Sequence, residues 1–189
     1  MSAAGRLEWD ARHRGKDAGV AEPFVLEMLA RCTGGVALDI AAGRGRHSFT
    51  LAKNGYRVVA VDYSSAACGA IAGRARIEGL PILAVLADLE RFPIRRSCYD
   101  LVLNVNFLDR GLFPSMLAGL RPRGFLLVDT FLIDHASIGH PRSPQFLLRR
   151  GELRELIEGL EILHYREGLI RYPNGDRAYR ASAFGHKGN

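Results

Sequence analysis

The chain has 189 residues, enough for one domain that buries about 70% of its unfolded surface, and a content of 48% hydrophobic and 24% charged residues excludes a disordered polymer. The longest apolar run, around Phe125 to Ile133, is interrupted by Asp129 and falls short of the ~18 residues a membrane span needs. Met1 to Arg6 lacks the apolar stretch of a secretory leader, so a cytoplasmic location without membrane partners is expected. The formal net charge is +6 and the basic residues are nearly all arginine, but they are scattered and form no stripe, which disfavours a nucleic-acid partner. Cys32, Cys68 and Cys98 are widely spaced and form no CxxC pair, so they read as small core side chains and no metal site is expected.

From residue 22 to about 158 the apolar pattern alternates between helix-like and strand-like periods, the mark of parallel βαβ units and a doubly wound α/β fold. Glu22 to Cys32 has helical spacing, with Pro23 in the first turn and Gly34-Gly35 ending it. Val36 to Ala41 is a strand, Gly45 to Asn54 a helix, and Arg57 to Asp62 a second strand. Ser64 is placed to cap a helix that runs to Glu78. Pro81 to Ala87 and Asp100 to Val105 are the third and fourth strands, followed by a helix over 109–120 that must kink at Pro114 or hold it in its first turn. Arg121 to Gly124 is expected to turn into a fifth strand, Phe125 to Phe131. Residues 133–145 form a long broken loop of the kind that covers sites, and Gly151 to Glu158 resembles a last helix. Two alternating runs, Glu161 to Glu167 and Ala178 to Phe184, flank Asn174-Gly175 and predict a hairpin. The expected organisation is a single domain: an N-terminal lid segment (1–21), a βα core (22–158) and a C-terminal β-hairpin (159–189).

In such a sheet a ligand binds beyond the carboxyl ends of the strands, where the strand order reverses. Asp39 with the Gly43/Gly45 turn, Asp62, Asp88 and Asn104 close the first four strands and converge there. The glycines admit a ligand close to the backbone, and Asp62 is placed to accept both hydroxyls of a ribose. As a dinucleotide fingerprint the turn fails, because Ser48 replaces the third glycine of GxGxxG. A pyrophosphate over the helix N-terminus would also be repelled by Asp39, whereas a sulfonium and an ammonium would be attracted. These considerations favour S-adenosylmethionine over a nicotinamide or flavin dinucleotide.

LDIAAGRGRHS at 38–48, VVAVDYS at 58–64, ADLERFP at 87–93, YDLVLNVNFLDR at 99–110 and LRPRGFLLVDTF at 120–131 are similar to the successive motifs of class I S-adenosylmethionine-dependent methyltransferases. Within that superfamily, Trp9-Asp10-Ala11-Arg12 and the segment FLLRRGEL at 146–153 resemble small bacterial tellurite-resistance and thiopurine methyltransferases. The resemblance implies a Rossmann-like sheet in the order 3-2-1-4-5-7-6 with strand 7 antiparallel. It also implies that Gly43 and Gly45 approach the methionine and ribose, with Ala41 where many relatives have glycine. Asp62 belongs to the ribose end, Asp88 and Leu89 to the adenine, and Asn104 to the methionine end, with Tyr63 also a cofactor-binding residue. Asn104-Val105-Asn106-Phe107 lacks the prolines of the nucleobase and glutamine amino-methylating class.

Displacement at a sulfonium needs alignment in a dry cleft more than it needs a triad. His13, His135 and His140 are candidate bases or anchors, Arg12 and Arg110 candidate holders of an anionic acceptor, and Trp9 a candidate lid residue. The expected activity is methyl transfer to a small molecule, such as a thiol, thiopurine or chalcogen oxyanion, by a monomer or homodimer. The alternatives are a non-catalytic cofactor-binding or regulatory protein, and methylation of nucleic acid.

Overall fold

The computed structural model describes residues 3–15 and 17–189. Seven strands form one sheet in the order β3-β2-β1-β4-β5-β7-β6. The strands are β1 (Gly35–Ile40), β2 (Tyr56–Asp62), β3 (Ile82–Leu86), β4 (Tyr99–Val105), β5 (Leu120–Phe131), β6 (Glu161–Arg171) and β7 (Arg177–His186). β1 to β5 are parallel neighbours, while β7 runs antiparallel to both β5 and β6. The helices are α1 (Ala3–His13), α2 (Pro23–Leu29), α3 (Arg46–Lys53), α4 (Ser65–Glu78), α5 (Phe113–Gly119) and α6 (Glu152–Leu156).

The central strands read as continuous apolar runs because both faces are covered. Successive side chains alternate between faces, so Ala37, Val58, Leu101 and Leu103 meet Phe24 and Met28 of α2, Phe49 of α3 and Ile71 of α4. Leu38, Ile40, Val102 and Val128 form the opposite core with Phe113 and Met116 of α5 and Leu153 of α6. Asp100 ties the lower ends of three strands together. Its Oδ2 accepts from the Val36 N–H at 2.7 Å and from Arg121 Nη1 at 2.7 Å.

The structure corrects the expected elements at several places. The helix over 109–120 is a 3-10 turn, Arg110–Leu112, followed by α5 with Pro114 in its first turn, and Asp109 caps the 3-10 turn through the Gly111 N–H at 2.9 Å. Arg121 to Gly124 does not form a separate turn. The ladder continues from Leu120 with a register shift opposite Tyr99 and Leu101, and Arg123 takes the excess twist at φ 64°. At Gly124 a Cβ would lie 3.1 Å from the Tyr99 carbonyl oxygen, so the strands cross too closely there for a side chain. The 133–145 segment holds two 3-10 turns, Ile133–Ser137 and Pro144–Phe146, and Leu132 pairs with Leu148 in an isolated bridge.

Arg110 belongs to this scaffold. Its Nε and Nη2 grip the buried Glu152 carboxylate at 2.6 and 3.0 Å, and its remaining donors reach the carbonyls of Gln145 and Leu147. Glu152 also accepts from the Arg149 N–H at 2.7 Å, and the Arg110 bonds hold its carboxyl down at about 2. A carboxylate lowered in the folded state stabilises that state above its unfolded pKa and loses the contribution as pH falls through the folded one. Wild-type stability is therefore expected to drop by about 3 kcal/mol between pH 5 and pH 2 on account of this group. Urea unfolding of Glu152→Gln across that range should show a correspondingly flatter profile, and an identical slope would refute the assignment.

Candidate active site

β1 has β2 on one side and β4 on the other, so chain connections leave it in opposite directions and open a crevice above its carboxyl end. The turn out of β1 runs through positive φ at Ala41 (52°), Gly43 (56°) and Gly45 (83°). Alanine in that region costs ~1–2 kcal/mol. Two features hold the turn. The Ala42 N–H bonds to the Val61 carbonyl at 3.0 Å, and the Gly43 N–H bonds to Asp62 Oδ2 at 2.7 Å. The other oxygen, Oδ1, accepts from the Ser64 N–H at 2.8 Å. Each carboxylate oxygen of Asp62 thus receives one backbone donor and retains lone-pair capacity toward the cleft.

Ala41, Gly43, Asp62, Tyr63, Asp88 and Leu89 line one part of a cleft of about 400 Å³. Gly43 faces it directly, since a Cβ there would come within 3.4 Å of His13 Cε1 across the opening. Three other candidate residues lie off the wall. Gly45 ends the turn by packing: a Cβ would meet Ile71 Cγ1 at 2.8 Å, so glycine lets α3 seat against α4. Asp39 points beneath the turn and accepts from Ser48 Oγ at 2.6 Å. Burial, reinforced by the nearby Asp62 charge, pushes its carboxyl up to about 7, so much of the negative charge expected at the end of β1 is suppressed. Asn104 is fully buried on the other face of β4 from Leu103, with both amide atoms lacking a hydrogen-bond partner.

The N-terminal helix is pinned over this cleft. Asp10 Oδ1 accepts from Ser64 Oγ at 2.6 Å and the Ala66 N–H at 3.2 Å, while Oδ2 accepts from Ser65 Oγ at 3.0 Å. These bonds hold its carboxyl down at about 2 and place a negative charge at the N-terminus of α4. Arg44 Nη1 donates to the His13 carbonyl at 2.6 Å, and Arg44 Nε is buried without a partner. The rings of Trp9 and His13 stack 6.1 Å apart on the cleft wall. The side chain of Arg12 lies outside the described residues.

Of the three candidate histidines, His13 alone reaches the cleft. His135 is buried against Phe131, its Nδ1 accepting from the Tyr179 N–H at 3.3 Å and its Nε2 bonded to the His140 carbonyl at 3.1 Å, so it serves the scaffold. His140 is exposed and off the wall. Arg110, consumed by Glu152, is absent from the wall as well.

A fourth histidine, missed in the sequence, does line it. His47, in the first turn of α3, accepts from the Glu22 N–H through Nε2 at 3.3 Å. A backbone N–H can only donate, so the ring proton sits on Nδ1. Burial first, then the Arg46 and Arg180 charges, push its pKa down to about 3. Beyond it, Arg46 and Asn106 stand at the seam between this cleft and a groove of about 1050 Å³. Asn106 is held at φ 59° with its Oδ1 bonded to Arg180 Nη2 at 2.7 Å, and Arg180 is itself locked by the buried Asp129 carboxylate at 2.9 Å. Among the described residues no three metal-ligating side chains converge, and no helix is long and apolar enough to cross a membrane.

Comparison with known proteins gives consistent matches. TehB from Haemophilus influenzae superposes with a TM-score of 0.77 at 21% identity, over 88% of this chain and 62% of that one. The 1,6-didemethyltoxoflavin-N1-methyltransferase of Burkholderia thailandensis, whose structure holds 1,6-didemethyltoxoflavin and S-adenosylhomocysteine, gives a TM-score of 0.72 at 20% identity over 98% of this chain and 87% of that one. A curated relative, Hemagglutinin 1 of Eikenella corrodens, is 30% identical over 151 residues, which is 76% of this chain; the chain spans about half (49%) of that protein's length. The methyltransferase domain family matches residues 37–124, from β1 into β5, a segment that contains the glycine turn, Asp62 and Asp88. Residues 37–124 thus match a methyltransferase domain, and the chain shares the seven-stranded fold of these methyltransferase structures.

Proposed function

We propose that the protein transfers a methyl group from S-adenosylmethionine to a small-molecule acceptor. The observation that carries this reading is the Asp62 carboxylate, anchored by the Gly43 and Ser64 N–H groups while it borders the cleft. A diol needs two hydrogen-bond acceptors held at fixed spacing, and this carboxylate is oriented before any ligand arrives. The cofactor fits the remaining lining too, because Gly43 leaves a cradle that a side chain would fill. When bound, S-adenosylmethionine supplies a methyl carbon on a sulfonium, open to in-line displacement.

The chain's own residues then have distinct tasks. Asp62 would accept the ribose hydroxyls, Tyr63 and Leu89 would enclose the adenine, and Asp88 would accept from its exocyclic amine. Trp9 and His13, carried on the pinned α1, would shield the sulfur end from water, which strengthens every electrostatic interaction inside. Asp39 would act only through space, from beneath the turn. Catalysis of this kind comes from alignment, worth up to ~7–11 kcal/mol in favourable cases, and demands no triad. Thiols, thiopurines and chalcogen oxyanions are acceptors consistent with that chemistry. The small-molecule methyltransferase from Burkholderia thailandensis supports the same class of acceptor.

Asp62→Ala is expected to weaken S-adenosylhomocysteine binding by ~1.5–3 kcal/mol, the range for hydrogen bonds to a charged group. Calorimetry on the folded variant checks this, and an unchanged affinity contradicts the role given to Asp62. In a melting assay S-adenosylhomocysteine should raise the midpoint in a saturating manner and NAD should not. Stabilisation by NAD alone would overturn the choice of cofactor.

A further inference from the structure

The groove beyond Arg46 and Asn106 has apolar walls at Phe131, Ile138 and Tyr172. Its charged lining is Arg46, Arg177 and Arg180 against Glu22 and Asp176. Both carboxylates already receive side-chain donors. Glu22 receives Arg46 Nη2 at 3.2 Å and the Tyr172 hydroxyl at 3.5 Å, and Asp176 receives Asn174 Nδ2 at 2.8 Å. At the seam, the Nε2 lone pair of His47 is taken by the Glu22 N–H and the Oδ1 of Asn106 by Arg180. Asp129, behind Arg180, accepts both Arg180 Nε and Ser182 Oγ.

What is left over is donors. His47 offers Nδ1–H, Asn106 offers its amide Nδ2, and the Arg177 guanidinium has no hydrogen-bond or ion-pair partner among the described residues. His47 is nine-tenths buried and stands on the cleft wall, next in sequence to Arg46 at the seam. Asn106 cannot flip to present its oxygen without losing Arg180, whose guanidinium is fixed by Asp129 and by the Phe131 ring 4.5 Å away.

We infer that this groove holds the methyl acceptor, and that the acceptor is a small anion with a flat apolar body, its charged end against the His47, Asn106 and Arg177 donors. The inference rests on the methyltransferase reading and extends it to the acceptor. Its chemistry is self-consistent. The acceptor's lone pair forms the bond to the methyl carbon as the carbon–sulfur bond breaks and its electron pair stays on sulfur. An acceptor that arrives ionised leaves no proton for the protein to remove.

Calorimetry with a matched pair, 2-naphthoate and 2-naphthamide, on protein saturated with S-adenosylhomocysteine tests this. Naphthoate is expected to bind at least tenfold tighter than the amide. Arg177→Gln, at the rim of the groove alone, should reduce that preference at least threefold while leaving S-adenosylhomocysteine affinity within twofold. Asn106→Gly should reduce it likewise, since glycine keeps the positive φ and removes only the amide. Equal binding of the two probes, binding of neither, or an undiminished preference in both variants would overturn the inference. S-adenosylhomocysteine affinity measured without either probe reports on the methyltransferase reading separately.

Discussion

The carboxylate of Asp62 joins two pieces of backbone that come from different βα units. One oxygen takes the N–H of Gly43 in the turn after β1, the other takes the N–H of Ser64 at the head of α4. The rest of the site hangs from that pair of bonds. The turn cannot relax away from the cleft while Gly43 is held, and Ser64 is left oriented both to accept from the Ala67 N–H at 3.1 Å and to donate to Asp10. Asp10 in turn brings α1, with Trp9 and His13, onto the cleft. A single charged group therefore organises the glycine turn, the cap of a helix and the seat of α1.

The site is also where the chain departs from what unstrained folding would choose. Ala41 sits at positive φ, Asp39 is a buried carboxyl whose pKa burial pushes up, and Asn104 hides an amide with no partner among the described residues. Each costs on the order of 1–3 kcal/mol. Two cores, one on each face of the sheet, supply the stability that tolerates them. Local violations of this kind concentrate at functional sites, because a ligand-binding surface is selected for what it presents and not for its own relaxation.

On the hairpin side the same logic recurs with opposite polarity. Asp129 is enclosed by Arg180 and Ser182, and removing Arg180 would strand a buried charge. The pair orients Asn106, and the Glu22 amide orients His47. Neutral donors are thus aimed by neighbours that are themselves fixed, an arrangement that costs little reorganisation when a ligand enters.

Much of this protein was legible in the chain itself. Alternating periodicity announced the parallel strands, Ser64 announced a cap, Asn174-Gly175 a hairpin, and the glycine turn with Asp62 a cleft at the end of β1; all of these depend on residues close together in sequence. The tertiary structure decided which polar groups line the cleft. Asp39 and Asp62 look alike as carboxylates near strand ends, yet Asp39 lies one residue inside β1 and is covered by Ser48, whereas Asp62 is the last residue of β2 and meets the cleft. His135 and Arg110 were spoken for by partners 44 and 42 residues away, and His47 was set by an amide 25 residues earlier. Those assignments depend on which segments the sheet order brings side by side, and no local pattern encodes the distance between them.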